Sequence, residues 1–278
     1  MKTPPVSLGR TYLFVPGDRA DRFDKAWNSG ADQIIIDLED AVAPAQKDAA
    51  RKAAAGWMTP GRPVWVRINA CDTAWYESDV ELAAHPGLRG FMIPKSEHLP
   101  RELINVCREH KKSLIPLVET AVGFKNLAVL AETATVERLA FGSIDFQVDL
   151  GIEGDDDALA YFRSQLVLAS RLAQIQPPLD GVTTDVNDAE VLNQDTLRAK
   201  RFGFGGKLCI HPRQVIPVNR VFSPSDEELG WAQMVIAASA QCEGAVVTVG
   251  GKMVDKPVLA KALRIIQAAE KSAPTRGE

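Results

Sequence analysis

SLIPLVETAVGF, residues 113–124, reads as a buried β-strand that stops at a carboxylate. Six residues of SLIPLV suit a strand covered on both faces, and Thr120 onward has the composition of a helix start. Glu119 sits between them. A carboxylate carried on the end of a buried strand is pushed toward its neutral form unless a cation or a set of donors holds its charge. The strand therefore predicts a partner at the place where it ends.

The same strand-then-helix unit repeats on either side. Strands are expected at TYLFVP (11–16), QIIIDL (33–38), PVWVRI (63–68), GFMIP (90–94), SLIPLV (113–118), VERLAFG (136–142), PLDGV (178–182) and GKLCI (206–210). Helical composition lies between them, as in QKDAARKAAAGW, LPRELINVCREHKK and DDALAYFRSQLVLASRLAQIQ, the last closed by Pro177 and Pro178. Eight such units are the count of a (β/α)₈ TIM barrel, here over residues 10–222. From residue 223 to 278 the rhythm changes. Ser225 with Glu228 three positions on forms a capping box ahead of a helix, EGAVVTVGGKMVDKP suggests a hairpin or loop, Pro257 opens a last helix, and APTRGE suggests disorder. This second segment reads as a C-terminal helical extension.

In a barrel of this kind, functional groups stand at the C-terminal ends of the strands. Those ends carry Asp18 and Arg19, the run Asp37-Leu38-Glu39-Asp40, Arg67 and Asn69, Lys95, Glu119, the run Gly142-Ser143-Ile144-Asp145, and His211. Acids gathered with Arg67 and Lys95 suggest a divalent cation shared with an anionic substrate. Glu119 and Asp145 suit Mg²⁺, which takes a few carboxylates and keeps several other oxygens. The bland readings stand beside these: Glu119 as a first-turn acid of the next helix, Arg67 in a structural ion pair with Asp37 or Glu39, DLED as a helix-start acid cluster, and His211 as a loop anchor. Lys95 as a Schiff-base nucleophile needs a depressed pKa, which acidic neighbours oppose.

Composition narrows the function classes. The 278 residues are 46% hydrophobic and 24% charged, and 32 basic against 36 acidic side chains give a net charge of −4, with no sign of a nucleic-acid surface. Cys71, Cys107, Cys209 and Cys242 form no C-x-x-C pair, so reduced core thiols are expected. No run approaches the ~20 apolar residues of a membrane span, and MKTPPVSLGR lacks the apolar core of a signal peptide. A cytoplasmic protein is expected.

RTYLFVPGDRADRFDKAWNSGADQIIIDLEDAVAPAQKDAAR, VRIN, PLVETAVG, FGSIDFQVDLG, GKLCIHPRQVIPVNRVFSPSDEE and GKMVDKP, taken in order, resemble the HpcH/HpaI aldolase and citrate lyase β-subunit family, in its CitE-like branch. The resemblance spans roughly residues 10 to 271. It implies a Mg²⁺-dependent barrel, usually a trimer (or a hexamer) with shared active sites, acting on the C–C bond of a 3-hydroxyacyl thioester. Citramalyl-, malyl- and citryl-CoA lyases and malyl-CoA thioesterases belong to that branch, as does a citrate lyase subunit whose substrate hangs on an acyl carrier protein.

The resemblance also implies roles. Glu119 and Asp145 match the metal ligands, and Arg67 matches the arginine that holds the carboxylate of a 2-oxo acid. Ile144 and Glu119 fall at substrate contacts. Phe14, Arg19, Lys25, Ile210 and His211 fall at contacts to coenzyme A or substrate. Asp255 matches an aspartate supplied by a neighbouring subunit's C-terminal lid, and Glu39 or Asp37 would support the metal from behind.

Overall fold

The computed structural model describes residues 9–240, 247–249 and 252–272. Cys242, Gly250, Gly251 and APTRGE (273–278) lie outside the described residues. The described chain forms two compact units, residues 9–219 and residues 220 onward.

The first unit is a closed barrel of eight parallel strands in sequence order: β1 (Thr11–Pro16), β2 (Gln33–Asp37), β3 (Val64–Arg67), β4 (Leu88–Ile93), β5 (Ser113–Val118), β6 (Arg138–Phe141), β7 (Gln176–Asp180) and β8 (Gly206–Cys209). Closure comes from β8 pairing with β1, Leu208 opposite Tyr12. Helices fill the connections: α1 (Phe23–Trp27), α2 (Lys47–Trp57), α3 (Tyr76–Val80), α4 (Arg101–Glu109), α5 (Ala121–Lys125), α6 (Leu127–Glu132), α7 (Ser143–Leu150), α8 (Asp157–Leu172), α9 (Ala189–Phe202) and α10 (Pro212–Phe222). Sequence reading thus places every barrel strand, with boundaries shifted by up to two residues.

Strand seven is the informative shift. Pro177 and Pro178 do not close the preceding helix; they lie inside β7, and α8 has already ended at Leu172. Proline donates no ladder hydrogen bond, so it needs a break in the pairing. The β6–β7 register shifts between Arg138 and Ala140, and the buried Arg138 guanidinium supplies the missing polarity. Its Nε donates to the Pro177 carbonyl at 2.9 Å and its Nη1 to the Gly9 carbonyl at 2.8 Å.

The barrel interior is packed by Tyr12, Ile35, Trp65, Met92, Ile115, Leu117, Ala140, Leu179 and Leu208. Gly90 makes room for this layer, since a Cβ there would stand 2.6 Å from the Trp65 ring. Alternation along a strand then decides what stands above. Two residues beyond Tyr12, Ile35, Trp65, Leu117 and Leu208 come Phe14, Asp37, Arg67, Glu119 and Ile210. The period that fills the core also aims these five residues at the barrel mouth.

The second unit contains α11 (Asp226–Ala240), the antiparallel pair β9 (Val247–Val249) and β10 (Lys252–Val254), and α12 (Lys256–Ser272). Ala232, Val235, Val254 and Ala262 are its buried core, with Trp231, Leu259 and Ile266 packed around them. The capping box is present: Glu228 N–H donates to Ser225 Oγ at 3.1 Å, and Ser225 N–H to Glu228 Oε2 at 2.9 Å.

Candidate active site

A cavity of about 480 Å³ occupies the C-terminal mouth of the barrel, walled by Phe14, Asp37, Arg67, Glu119, Asp145 and Ile210 among others. Arg67 is its cation. Nε and Nη2 donate to the two oxygens of Asp37 at 2.8 and 2.6 Å, and Nη1 lies 3.0 Å from Glu39 Oε2. The guanidinium also stacks over Phe14, 4.9 Å from the ring centroid. Burial works to lower the arginine's pKa, but Asp37, Glu39 and Asp40 raise it further than burial lowers it. The expected structural ion pair is therefore real. Asp37 takes two of the five N–H groups of the guanidinium in hydrogen bonds, and Nη1 is drawn toward Glu39 by charge alone.

Glu39 is buried between Arg67 and Lys95, whose Nζ is 3.5 Å from Oε1. Neither of its oxygens makes a directional hydrogen bond, so both contacts are ionic attraction without hydrogen-bond geometry. Burial raises its pKa, and Arg67 and Lys95 pull the other way. For Lys95, burial lowers the pKa, but Glu39, Asp40 and Glu119 prevail and leave it raised. A lysine held protonated by three carboxylates is a poor Schiff-base nucleophile.

Glu119 is 3% exposed. One oxygen accepts the Lys95 backbone N–H at 2.6 Å, a bond made possible by the left-handed backbone of Lys95 at φ 47°. The other packs against Gly142, where a Cβ would stand 2.6 Å from Oε2. Burial pushes the carboxyl up to about 8, and Glu39 and Asp145 add to the shift while the Lys95 N–H and Arg67 oppose it. The helix-cap reading of Glu119 does not hold. Thr120 is the N-cap of α5, its Oγ1 accepting the Gly123 N–H at 3.0 Å, and Asp149 takes the Ala121 N–H at 2.7 Å.

Asp145, in the first turn of α7, is exposed and lines the same cavity, as does Ile144. Among the described residues no set of three His, Cys, Asp or Glu side chains is arranged to hold a metal. Two carboxylates on neighbouring strand ends, one buried and under-compensated, fit a hard cation that draws its other oxygens from water and ligand.

The remaining expected residues are spread wider. Arg19 is exposed and paired with Asp21 at 3.0 Å. Lys25 is exposed on α1. His211 Nδ1 accepts the Arg213 N–H at 3.1 Å; burial lowers its pKa, helped by Arg213, Lys25 and Arg22, which form a cationic rim around it. Asp255 belongs to the second unit, where it is exposed and its Oδ1 accepts the Val258 N–H at 3.0 Å at the start of α12.

Sequence reading missed several participants. Val182, the last residue of the expected seventh strand, and Thr184 just past it line the cavity beyond β7, and neither carries a charge that would have marked it. Lys47 is buried, and its Nζ donates to the carbonyls of Leu38 and Glu39 at 2.8 and 2.7 Å, fixing the turn that carries the acids. Its position at the head of an alanine-rich helix gave no signal.

Barrel, acidic mouth and ion-paired arginine together are the architecture of a barrel enzyme with a place for a hard cation. Residues 10–212 match the HpcH/HpaI aldolase/citrate lyase family, and the chain belongs to that family of lyases. A citrate lyase subunit beta-like protein of Mycobacterium tuberculosis is 37% identical, over 95% of this chain and 96% of its own. The L-malyl-CoA/beta-methylmalyl-CoA lyase of Rhodobacter capsulatus is 31% identical, over 96% of both chains. The crystal structure of CitE from M. tuberculosis in complex with magnesium, acetoacetate and coenzyme A superposes with a TM-score of 0.80 at 36% identity, covering 95% of this chain and 99% of that one.

Proposed function

We propose that this protein is a Mg²⁺-dependent lyase that cleaves the C2–C3 bond of a 3-hydroxyacyl-CoA, such as citramalyl-, malyl- or citryl-CoA, to a 2-oxo acid and acetyl-CoA. The observation that carries the reading is the buried Glu119, held by one oxygen and facing Arg67 across a single cavity that also contains Asp145. The M. tuberculosis relative with magnesium and coenzyme A supports it.

Glu119 and Asp145 would hold the cation. When bound, Mg²⁺ supplies Lewis acidity that makes a substrate hydroxyl easier to deprotonate. The N–H groups of Arg67 that Asp37 leaves unbonded bind and orient the substrate carboxylate, while Asp37 and Glu39 keep the fork from rotating. As the hydroxyl gives its proton to solvent water, a new C=O forms, and the C2–C3 electron pair moves into the thioester as an enolate. Asp255 relays a proton from solvent to the enolate carbon. Phe14 and Ile144 line the acyl cavity; Arg19, Lys25, Ile210 and His211 meet the coenzyme A portion, where the cationic rim attracts its phosphates.

On this reading the protein acts as a homotrimer or a hexamer with shared active sites, in which Asp255 completes a neighbour's site. Mixed oligomers of Asp255→Ala and Arg67→Ala subunits should regain activity that neither parent has; mixed assemblies that stay inactive would defeat that arrangement.

The deciding assay is release of 2-oxo acid from the three CoA thioesters with Mg²⁺ and with excess chelator. Chelator-sensitive pyruvate, glyoxylate or oxaloacetate supports the lyase. Turnover only of a citryl thioester on acyl carrier protein would make the chain a citrate lyase β subunit, and free CoA without a 2-oxo acid would make it a thioesterase. Borohydride trapping on Lys95 would overturn the metal-dependent reading.

A further inference from the structure

Gln214, near the start of α10, is 1% exposed, and both ends of its amide are used on the loops at the barrel mouth. Oε1 accepts the N–H groups of Ile210 at 2.9 Å and His211 at 3.3 Å, and Nε2 donates to the Thr183 carbonyl at 2.8 Å. Donors face one end and an acceptor the other, so the partners fix which way the amide points. Ile210 and His211 lie beyond the last residue of β8, and Thr183 lies beyond β7. Their backbone groups have left the strand ladders and need another partner when buried. Gln214 supplies it for both loops at once.

These loops are two walls of one cavity. Ile210 lines it from the β8 side, and Val182 and Thr184, on either side of Thr183, line it from the β7 side. The β7 wall has a further brace, since Thr183 Oγ1 donates to Asp195 Oδ2 at 2.6 Å and Asp195 pairs with Arg198 at 2.8 Å. One side chain that does not itself line the cavity thus couples a wall anchored on α9 to a wall anchored on α10.

We propose that Gln214 is a positioning residue that sets the separation of the Thr183 and Ile210 walls, and so controls how tightly the thioester is held. This rests on the reading of the cavity as a thioester site. Two variants separate its bonds. Gln214→Met keeps the volume and removes all three hydrogen bonds. Gln214→Glu keeps acceptor oxygens for Ile210 and His211 and replaces the donor to Thr183 with an oxygen that repels its carbonyl.

With the thioester that the wild type cleaves, Gln214→Met should raise KM about tenfold while kcat stays within about threefold. A merely structural role would lower the active fraction, and hence kcat, at unchanged KM; that outcome overturns the proposal. Hydrogen exchange adds a readout independent of turnover. Gln214→Met should speed exchange in both 181–187 and 210–211, and Gln214→Glu in 181–187 alone. Should Gln214→Met fail to fold, Gln214→Glu carries the same KM test. If the wild type cleaves no thioester, the lyase reading fails, and Gln214 is then judged by exchange: unchanged protection of both segments in the variants would overturn its role.

Discussion

Arg67 and Asp37 face each other as two planar groups joined by parallel hydrogen bonds of 2.8 and 2.6 Å, across the adjacent strands β3 and β2. Their register partners them directly, so the barrel itself sets the pair. A lysine at 67 would keep the charge and lose the fork, freeing the cation to rotate. Arg67→Lys should therefore reduce kcat/KM for the thioester by about 10²-fold or more, a loss of the size seen when one aligned donor is removed. Asp37→Ala leaves a buried guanidinium short of its main partner and should cost about 3–5 kcal/mol of stability, measured by denaturant unfolding. An Arg67→Lys enzyme with wild-type kinetics would show that the fork is structural only.

Gly142 tests the placement of Glu119 without touching its charge. Its backbone is ordinary at φ −84°, so the glycine is needed for space: a Cβ would stand 2.6 Å from both Cβ and Oε2 of Glu119. Gly142→Ala should displace the carboxylate at an overpacking cost of about 1–3 kcal/mol. We expect weaker Mg²⁺ binding by calorimetry and an activity loss of about 10²-fold, from misplacement near 1 Å. Unchanged metal affinity would remove Glu119 from the ligand set.

Much of this was legible in the residues because the strands are continuous apolar runs with a two-residue side-chain period. TYLFVP, QIIID, VWVR and SLIPLV mark the strands, and a step of two residues from the core layer along each reaches Phe14, Asp37, Arg67 and Glu119. What stayed hidden lacks a period. Pro177-Pro178 reads locally as a helix stop, which set the expected start of strand seven two residues late; its true start is fixed by partners distant in sequence, among them Arg138, 39 residues away. Lys47 and Gln214 act through backbone carbonyls and amides brought near by folding, and polar residues in helices usually face water. Sequence alone leaves the helix-cap role open to Glu119, but Thr120 has the hydroxyl geometry that capping favours and takes it.

The cysteines should separate by burial. Cys107 and Cys209 are buried, and burial pushes both thiols up to about 12, whereas Cys71 is exposed. Alkylation requires the thiolate and access to it. Brief treatment of the native protein at pH 7.5 should label Cys71 and spare Cys107 and Cys209, as read by peptide mass spectrometry. Rapid labelling of Cys209 would mean that the β8 strand opens far more readily than its packing allows.

His211 gives the pH dependence its sign. Burial and the neighbouring Arg213, Lys25 and Arg22 hold its pKa below the ordinary 6.5, so the fold disfavours the imidazolium. Its contribution to stability is complete above pH 6.5 and is lost as the pH falls through the native pKa. A phosphate-bearing ligand placed among those cations reverses the local field, because opposite charge favours the protonated ring. Coenzyme A binding should thus raise the His211 pKa, take up protons between the free and bound values, and tighten as the pH drops toward 6. NMR titration of the ring carbon-bound proton, with and without coenzyme A, measures the shift directly. A pKa that stays fixed while coenzyme A binds would place its phosphates away from this rim and return His211 to the role of a loop anchor.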